Sequence, residues 1–182
     1  MIIDIRLEEP SDVAAIERLT RKAFLDAPHT SHTEQFIIAE LRKAGRLTIS
    51  LVAVDAGDGG RLEPLSAPGC SGRSIVGHVA LSPVTLSDGS DRWYGLGPIA
   101  VLPRCQGQGV GSRLVERALA ELRGIGAAGC VVLGEPGFYG RFGFKAEPSL
   151  VLPDVPAEYF QAIAFEGAIP VGTVAYDAAF DA

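Results

Sequence analysis

A glycine-rich turn is the clearest chemical signal in this sequence. Residues 103–112 read Pro-Arg-Cys-Gln-Gly-Gln-Gly-Val-Gly-Ser, which places Gly107, Gly109 and Gly111 at alternate positions. Glycine lets the backbone turn with positive φ and leaves room for a ligand against the main chain. The turn lies between a predicted strand and a predicted helix, and the free N–H groups of a helix N-terminus bind anions. The spacing therefore predicts a diphosphate site, with a tight turn that binds no ligand as the alternative.

Two nucleotide-binding motifs fit this turn less well. Gly107-x-Gly109-x-x-Ser112 approximates the dinucleotide motif GxGxxG, with the acidic residue Glu135 about 20 residues further on. However, the turn follows a series of predicted hairpins, and fewer than 50 residues remain after Glu135 to complete a doubly wound sheet. No Gly-Lys-Ser/Thr follows the turn, so the sequence does not support a site for nucleotide hydrolysis.

Composition excludes several classes of protein. The 182 residues, 47% of them hydrophobic, are typical of one globular domain, which we expect to span residues 1–182. Sixteen Lys and Arg against 22 Asp and Glu give a net charge of −6, which disfavours binding to nucleic acid. Cys70, Cys105 and Cys130 form no CxxC pair, and we expect reduced thiols. With neither an export signal nor a membrane span predicted, we expect a cytoplasmic protein.

Hydrophobic periodicity predicts strands and helices in the order β-α-α-β-β-β-α-β-α-β. This order is typical of a mixed α/β (α+β) fold, a mixed sheet with helices packed on it. Between the second and third strands lies a Gly- and Pro-rich segment, residues 55–73, which we expect to be a mobile loop. The predicted strands are 3–7, 47–54, 74–81, 93–102, 130–133 and 169–176, and the predicted helices are 13–24, 33–44, 114–122 and 157–164.

The strand before the glycine turn contains an irregularity. Leu96 and Ile99 fall out of the two-residue period around Gly97-Pro98, and proline has no N–H to donate to a neighbouring strand. A β-bulge at this point would separate the strand from residues 130–134 and open a slot between them. The alternative is that Gly97-Pro98 only bends an edge strand.

These residues resemble a known family. Gln106-x-x-Gly109-x-Gly111 is similar to the acyl-CoA motif Q/R-x-x-G-x-G/A of the GNAT superfamily of N-acetyltransferases, and residues 137–144 resemble its Y-x-x-x-G-F segment. The element order is similar to the GNAT fold over nearly the whole chain. Residues 133–144 look like a group of small bacterial acetyltransferases whose substrates are mostly unassigned. The resemblance implies a mostly antiparallel mixed sheet, splayed at a central parallel pair, with helices on both faces.

The resemblance also implies the ligands. Acetyl-CoA would be the co-substrate, and its acetyl group would pass by direct attack, in a ternary complex, to a primary amine on a small molecule or peptide. The protein would be a monomer or homodimer with no nucleic-acid or membrane partner. A non-catalytic acyl-CoA-binding or sensing module is the alternative. The implied CoA-binding residues are Gln106, Gly107, Gln108, Gly109, Val110, Gly111 and Ser112 for the diphosphate, and Ile99, Ala100 and Val101 for pantetheine.

Acetyl transfer requires a donor for the developing oxyanion and an acid for the departing thiolate. We assign the first role to the backbone N–H of Val101, since a preorganised amide needs no reorganisation as charge develops. We assign the second role to Tyr139, whose position matches the tyrosine of many GNAT enzymes. The hydroxyl of a tyrosine is protonated at neutral pH and can donate to sulfur. The alternative is that Tyr139 is a packing aromatic. The asparagine that many members carry before this tyrosine is missing from Gly134-Glu135-Pro136-Gly137.

Other reactive side chains carry weaker expectations. Glu34, Glu40, Glu135 and His78 are candidates for the general base, and the sequence does not choose among them. His29 and His32 lack a carboxylate at ligand spacing, so no metal site is predicted. Cys105 has no neighbouring His or Asp to activate it, and we expect a structural thiol.

Overall fold

The computed structural model describes residues 2–25, 33–57 and 74–181. Cys70, His29, His32 and most of the predicted 55–73 loop lie outside these ranges. The strands are β1 Ile3–Leu7, β2 Ile49–Asp55, β3 Ser74–Pro83, β4 Thr85–Leu86, β5 Trp93–Val101, β6 Gly129–Leu133, β7 Leu150–Val151, β8 Phe160–Ala164 and β9 Gly172–Ala175. The helices are α1 Val13–Phe24, α2 Glu34–Lys43, α3 Val110–Gly124 and the one-turn α4 Pro136–Tyr139.

Six strands form the main sheet in the order β1-β2-β3-β5-β6-β8. Every neighbouring pair is antiparallel except β5 and β6, which run parallel. Helix α3 connects these two strands, as a parallel crossover requires. The predicted mixed, mostly antiparallel sheet is confirmed, and the doubly wound dinucleotide fold is wrong, because such a fold needs mostly parallel strands.

The parallel pair β5–β6 is paired along only part of its length. The register runs from Trp93 opposite Gly129 to Gly95 opposite Val131 and goes no further. Immediately beyond, the register between β5 and β3 shifts, so that Val79 lies opposite Ile99 while Leu81 lies opposite Leu96. Two β5 residues, Gly97 and Pro98, therefore face one β3 residue, which is the predicted bulge. Beyond Gly95, β5 and β6 are no longer paired, and we call the gap between their facing edges the V-shaped opening.

Helices pack on both faces of the sheet, as predicted. On one face, α3 covers β3 so closely that a Cβ atom on Gly77 would lie 2.9 Å from a methyl of Leu114 and 3.1 Å from one of Val110. Neighbouring side chains alternate across a strand, so His78 points to the opposite face. There α2 supplies Arg42 to a cluster around His78, and α1 packs against α2, β3 and β5.

The cluster around His78, here the Glu8 cluster, joins α2 to three strands. Arg42 donates two hydrogen bonds to the Glu8 carboxylate at 3.1 and 3.0 Å. The Ser50 hydroxyl donates to the same carboxylate and lies 2.7 Å from His78 Nε2. His78 is fully buried, and its Nδ1 has no hydrogen-bond partner within the described residues. Burial lowers the pKa of His78 to about 4, so the ring is neutral at pH 7.

The C-terminal third differs from the sequence-based prediction. Residues 157–164, predicted as a helix, form a short 3-10 turn over Ala157–Tyr159 followed by strand β8. This prediction was wrong because β8 lies antiparallel to β6 along its whole length, and tertiary pairing overrides local propensity. The last predicted strand is confirmed as β9, but it pairs with β4 and β7 in a separate small sheet. Within the described ranges, no helix is both long and apolar enough to cross a bilayer.

Candidate active site

The glycine turn begins α3. Gly107 and Gly109 adopt φ values of +71° and +82°, in the left-handed region that favours glycine, and Gly109 is the N-cap of the helix. Gly111 lies within the helix, and a Cβ there would lie 3.6 Å from the tip of the Phe138 ring and 3.8 Å from a Val101 methyl. The first hydrogen bond of the helix runs from the Arg113 N–H to the Gly109 carbonyl at 3.1 Å. The N–H groups of Val110, Gly111 and Ser112 therefore have no partner in the helix.

Side-chain hydrogen bonds hold the turn in shape. Gln106 Nε2 donates to the Val101 carbonyl at 3.0 Å, and Gln108 Nε2 donates to the Arg104 carbonyl at 2.8 Å. The Gln106 N–H donates to the Pro103 carbonyl at 3.2 Å. Gln106 thus shapes the turn with its side chain, and its N–H has a partner within the turn. The bonds within the turn set its geometry before any ligand arrives.

The edge of β5 faces the opening with its backbone. The Leu102 N–H donates to the Val76 carbonyl on β3 at 2.9 Å. Backbone groups point alternately to the two sides of a strand, so the N–H and carbonyl groups of Val101 and Ile99 point away from β3. The Gln106 side chain takes up the Val101 carbonyl. The Val101 N–H and the backbone groups of Ile99 therefore point into the V-shaped opening.

Turn and strand edge together line one continuous cleft of about 440 Å³. Of the predicted CoA-binding residues, Ala100, Gln108 and Val110 do not line it. Ala100 and Val110 are buried, Ala100 beside His78 and Val110 against Gly77, so Val110 offers only its backbone N–H. The lining residues are Ile99, Val101, Gln106, Gly107, Gly109, Gly111, Ser112, Phe138 and Arg141.

Two lining residues, Phe138 and Arg141, were missed by the sequence analysis. They come from α4 and the 3-10 turn that follows it, Gly140–Phe142. The Phe138 ring packs over Gly111, and the Arg141 guanidinium packs over that ring, 4.8 Å from its centroid. The aromatic run in residues 138–144 was a visible signal. What it lacked was any indication that α4 returns to the N-terminus of α3.

Tyr139 lies beside the cleft and does not line it. Its ring is 7% exposed and makes edge contacts with Phe138 and Phe144, at centroid distances of 4.9 and 5.9 Å. The ring also covers Gly134, where a Cβ would come within 2.4 Å of it. Burial, with a smaller effect from Cys130, raises the pKa of Tyr139 to about 12. The hydroxyl is therefore protonated across the neutral pH range.

The base candidates are dispersed. Glu135 is exposed at the start of α4, Glu40 is half-exposed and pairs with Lys43 at 3.5 Å, and Glu34 is buried in the first turn of α2. His78 belongs to the Glu8 cluster described above. The Cys105 thiol is 3% exposed, and burial raises its pKa, which fits the structural thiol that we expected. No group of three or more potential metal ligands occurs among the described residues.

The other face of the sheet offers a second approach to the same point. The Tyr176 ring packs on Gly95, the last β5 residue that pairs with β6, so closely that a Cβ on Gly95 would lie 2.4 Å from it. Burial raises the pKa of Tyr176. Ser82, which pairs with Gly95, is buried on the same face and has an unpartnered hydroxyl within the described residues. A cleft of about 270 Å³ lies between α1 and α2, lined by Arg21, Phe24, Leu25 and Gln35.

Comparison with known proteins gives a consistent result. The family model described as the acetyltransferase (GNAT) domain matches residues 70–146. The sequence is 36% identical over 141 residues to the uncharacterized N-acetyltransferase YhbS of Escherichia coli strain K12, covering 78% of this chain and 72% of the relative.

Two solved structures resemble the whole fold. A GNAT family acetyltransferase from Brucella melitensis in complex with acetyl-CoA has a TM-score of 0.80 and 43% identity, with 99% of each chain covered. YhbS from Escherichia coli in complex with CoA also has a TM-score of 0.80, with 32% identity over 99% of this chain and 92% of that one. The fold, the cleft and these relatives define an acyltransferase. The chain belongs to the GNAT superfamily of N-acetyltransferases.

Proposed function

We propose that this protein transfers the acetyl group of acetyl-CoA to a primary amine by direct attack in a ternary complex. The observation that carries the proposal is the cleft, which joins free helix N–H groups at one end to the open backbone edge of β5 at the other. CoA has an anionic diphosphate and a pantetheine chain that contains two amides. The diphosphate matches the free helix N–H groups, and the pantetheine amides match the open backbone edge of β5.

The residues present fit this co-substrate. The N–H groups of Val110, Gly111 and Ser112 would hold the diphosphate, with the favourable helix dipole behind them. Gly107 and Gly109 keep side chains away from the approach. The backbone groups of Ile99 would pair with the pantetheine amides as a neighbouring strand would. Two related structures contain acetyl-CoA or CoA, which supports the same ligand here.

The transfer forms one N–C bond and breaks one C–S bond. The neutral acceptor nitrogen attacks the thioester carbonyl, the Val101 N–H stabilises the oxyanion, and the CoA sulfur leaves with the electron pair of the C–S bond. Tyr139 donates its hydroxyl hydrogen to the sulfur as negative charge develops. Because burial raises the pKa of Tyr139 to about 12, the donor is protonated across the neutral pH range. The nitrogen loses one proton to solvent, and Tyr139, which has given its proton to the sulfur, takes up one proton from solvent.

The acceptor would approach from the face that carries α1, α2 and the small sheet. Tyr176 and Ser82 lie there at Gly95, where β5 and β6 begin to diverge, and α1 packs against β5 on this side. An acceptor on this face would meet the thioester from the side opposite α3. The amine and the diphosphate would then enter from opposite faces, so both could be bound at once in a ternary complex.

The first experiment measures binding without an acceptor. Acetyl-CoA and CoA should raise the melting temperature in a concentration-dependent way, because a ligand that binds only the folded state stabilises it. NAD, at the same concentrations, should not. Stabilisation by NAD and not by CoA would contradict the proposal and revive the dinucleotide alternative.

The second experiment measures turnover. Release of free CoA thiol from acetyl-CoA should rise above the amine-free rate for at least one member of a panel of amino acids, polyamines, arylalkylamines and short peptides with free N-termini. Mass spectrometry should show the acetylated amine in the same reaction. Tight CoA binding with no turnover on a broad panel would favour a non-catalytic acyl-CoA-binding module.

A further inference from the structure

Among the described residues that line the cleft, Arg141 has the one charged side chain. Its guanidinium lies over two rings, with Cζ 4.8 Å from the Phe138 centroid and 5.5 Å from the Phe142 centroid. Nε donates to the Phe138 carbonyl at 3.3 Å, and Nη2 donates to the Ser112 hydroxyl at 3.4 Å. Both hydrogen bonds are long, so they orient the guanidinium and leave much of its donor capacity unused.

The charge of Arg141 has no carboxylate partner among the described residues. The ion pairs found there use Arg6, Arg21, Arg42, Lys43, Arg46, Arg92 and Arg117. An arginine held on aromatic rings at the mouth of a cleft, with its planar fork toward the helix N-terminus, is suited to bind phosphate in a bidentate manner.

We propose that Arg141 binds the diphosphate of CoA and supplies a positive charge that no other lining residue of the described cleft provides. The inference rests on the proposed function. The Ser112 contact favours the diphosphate over the other phosphate of CoA, the 3′-phosphate of the ribose. Ser112 carries one of the free N–H groups of the first turn of α3, so a guanidinium within 3.4 Å of its hydroxyl lies beside the same anion. Phe138, packed on Gly111, fixes the distance between helix and cation.

The test compares two ligands by isothermal titration calorimetry. CoA and 3′-dephospho-CoA share the diphosphate and differ only in the ribose phosphate. Arg141→Met keeps an apolar side chain over Phe138 and removes the charge. We expect this substitution to lower the affinity for both ligands by about tenfold or more, and by a similar factor for each, because hydrogen bonds to charged groups are among the stronger ones. Arg141→Lys, which keeps the charge but loses the fork, should give an intermediate loss.

Arg113→Met is the matched control. Arg113 is exposed in the first turn of α3 and does not line the cleft, so it removes the same charge from the same helix end. We expect its affinity for both ligands to stay within about twofold of the parent, since exposed charges are screened. A retained cooperative melt for each variant shows that the fold survives.

The outcomes separate the possible errors. Loss of affinity for CoA alone would assign Arg141 to the ribose phosphate and overturn the diphosphate assignment. Equal losses in Arg141→Met and Arg113→Met would also overturn it, because the effect would then be a general field of positive charge. Unchanged affinity in Arg141→Met would make the residue a surface cation stacked on Phe138. A parent protein that binds neither ligand would contradict the proposed function itself.

Discussion

At the residue scale, one substitution tests the proposed role of the Tyr139 hydroxyl. Tyr139→Phe keeps the ring contacts with Phe138 and Phe144 and removes only the proposed donor. We expect kcat to fall by roughly 10²-fold, within the usual range for general acid catalysis, with CoA affinity nearly unchanged. Steady-state kinetics with an active amine and CoA titration measure the two effects separately. An unchanged kcat would make Tyr139 a packing residue.

The same residue has a pH signature. Because the pKa of Tyr139 is raised to about 12, loss of its proton should not reduce kcat anywhere between pH 8 and 10. A fall in kcat centred near pH 10 in the parent, absent from Tyr139→Phe, would show that the hydroxyl titrates as an exposed tyrosine does.

His78 should make stability depend on pH in a defined window. The unfolded chain binds a proton at this residue near pH 6.5, whereas the folded chain does so only near pH 4. Between these values the unfolded state holds more protons, so the free energy of unfolding falls as pH falls from 6.5 to 4. The total loss is on the order of 3 kcal/mol.

Urea unfolding at pH values from 4 to 7 measures this loss, and His78→Gln is the control. Glutamine retains a donor for Ser50 but does not titrate, so the variant should show a flatter dependence in this window. Asp12, whose pKa is lowered through its bond to Arg6, loses its contribution only at more acidic pH. A parent and variant with the same dependence would place the titrating group elsewhere.

At the residue scale, sequence analysis identified what the backbone does better than what side chains do. Gly107 and Gly109 could be assigned because positive φ is a local property of the chain. Arg141 could not, because its importance depends on α4 returning to α3 across 29 residues of sequence separation. The hydrogen bond from the Gln106 N–H to the Pro103 carbonyl could not be predicted either, because it depends on the folded shape of the turn.

At the scale of the element, two glycines at the start of α3 have different roles: Gly109 permits the left-handed turn, and Gly111 leaves space for the ligand. Gly109→Ala places a Cβ on a residue with φ of +82°, which should cost about 1–2 kcal/mol of stability. Gly111→Ala is in helical conformation and has room for a Cβ, so stability should be unchanged or rise by a few tenths of a kcal/mol. The added methyl projects between Phe138 and Val101, and acetyl-CoA affinity should fall.

Urea unfolding and calorimetric titration of acetyl-CoA test this pair. Stability and affinity should move in different directions for Gly111→Ala and in the same direction for Gly109→Ala. If Gly109→Ala is as stable as the parent, the left-handed turn is not required. If Gly111→Ala binds acetyl-CoA normally, the ligand does not approach the backbone there.

The sequence predicted most elements but not their partners. Strand β1 and helices α1 and α3 follow from periodicity, because each has one face that packs on the core. Strands β2 and β3 are buried on both faces, and they follow from short apolar runs bounded by turn residues. Residues 157–164 were misassigned because β8 is recognisable only when β6 is beside it. The small sheet was missed since β4 and β7 have two residues each, too few for a pattern.

At the scale of the whole molecule, the spacing of β5 and β6 depends on one tight contact where the two strands are still paired. A Cβ on Gly129 would lie 2.3 to 2.6 Å from three atoms of the Trp93 indole, which is only 3% exposed. Gly129→Ala should therefore force β5 and β6 apart and destabilise the fold by about 1–3 kcal/mol, as overpacking usually does. Weaker acetyl-CoA binding should accompany the loss of stability.

Gly124→Ala is the control for this change. A Cβ there has no atom within 4 Å among those surveyed, and the residue is the last of α3. Its free energy of unfolding should match the parent within about 0.5 kcal/mol. Equal effects of the two substitutions would mean that the contact between Trp93 and Gly129 does not set the spacing of β5 and β6.

Trp93 also gives the molecule an optical property. It is the only tryptophan in the chain, and it lies buried where β5 and β6 are still paired. The tryptophan fluorescence of the protein therefore comes from the base of the V-shaped opening, where β5 and β6 are paired. The emission of Trp93 depends on whether its ring stays buried and rigid when a ligand binds in the cleft. The opening between β5 and β6 can therefore be followed without an attached label.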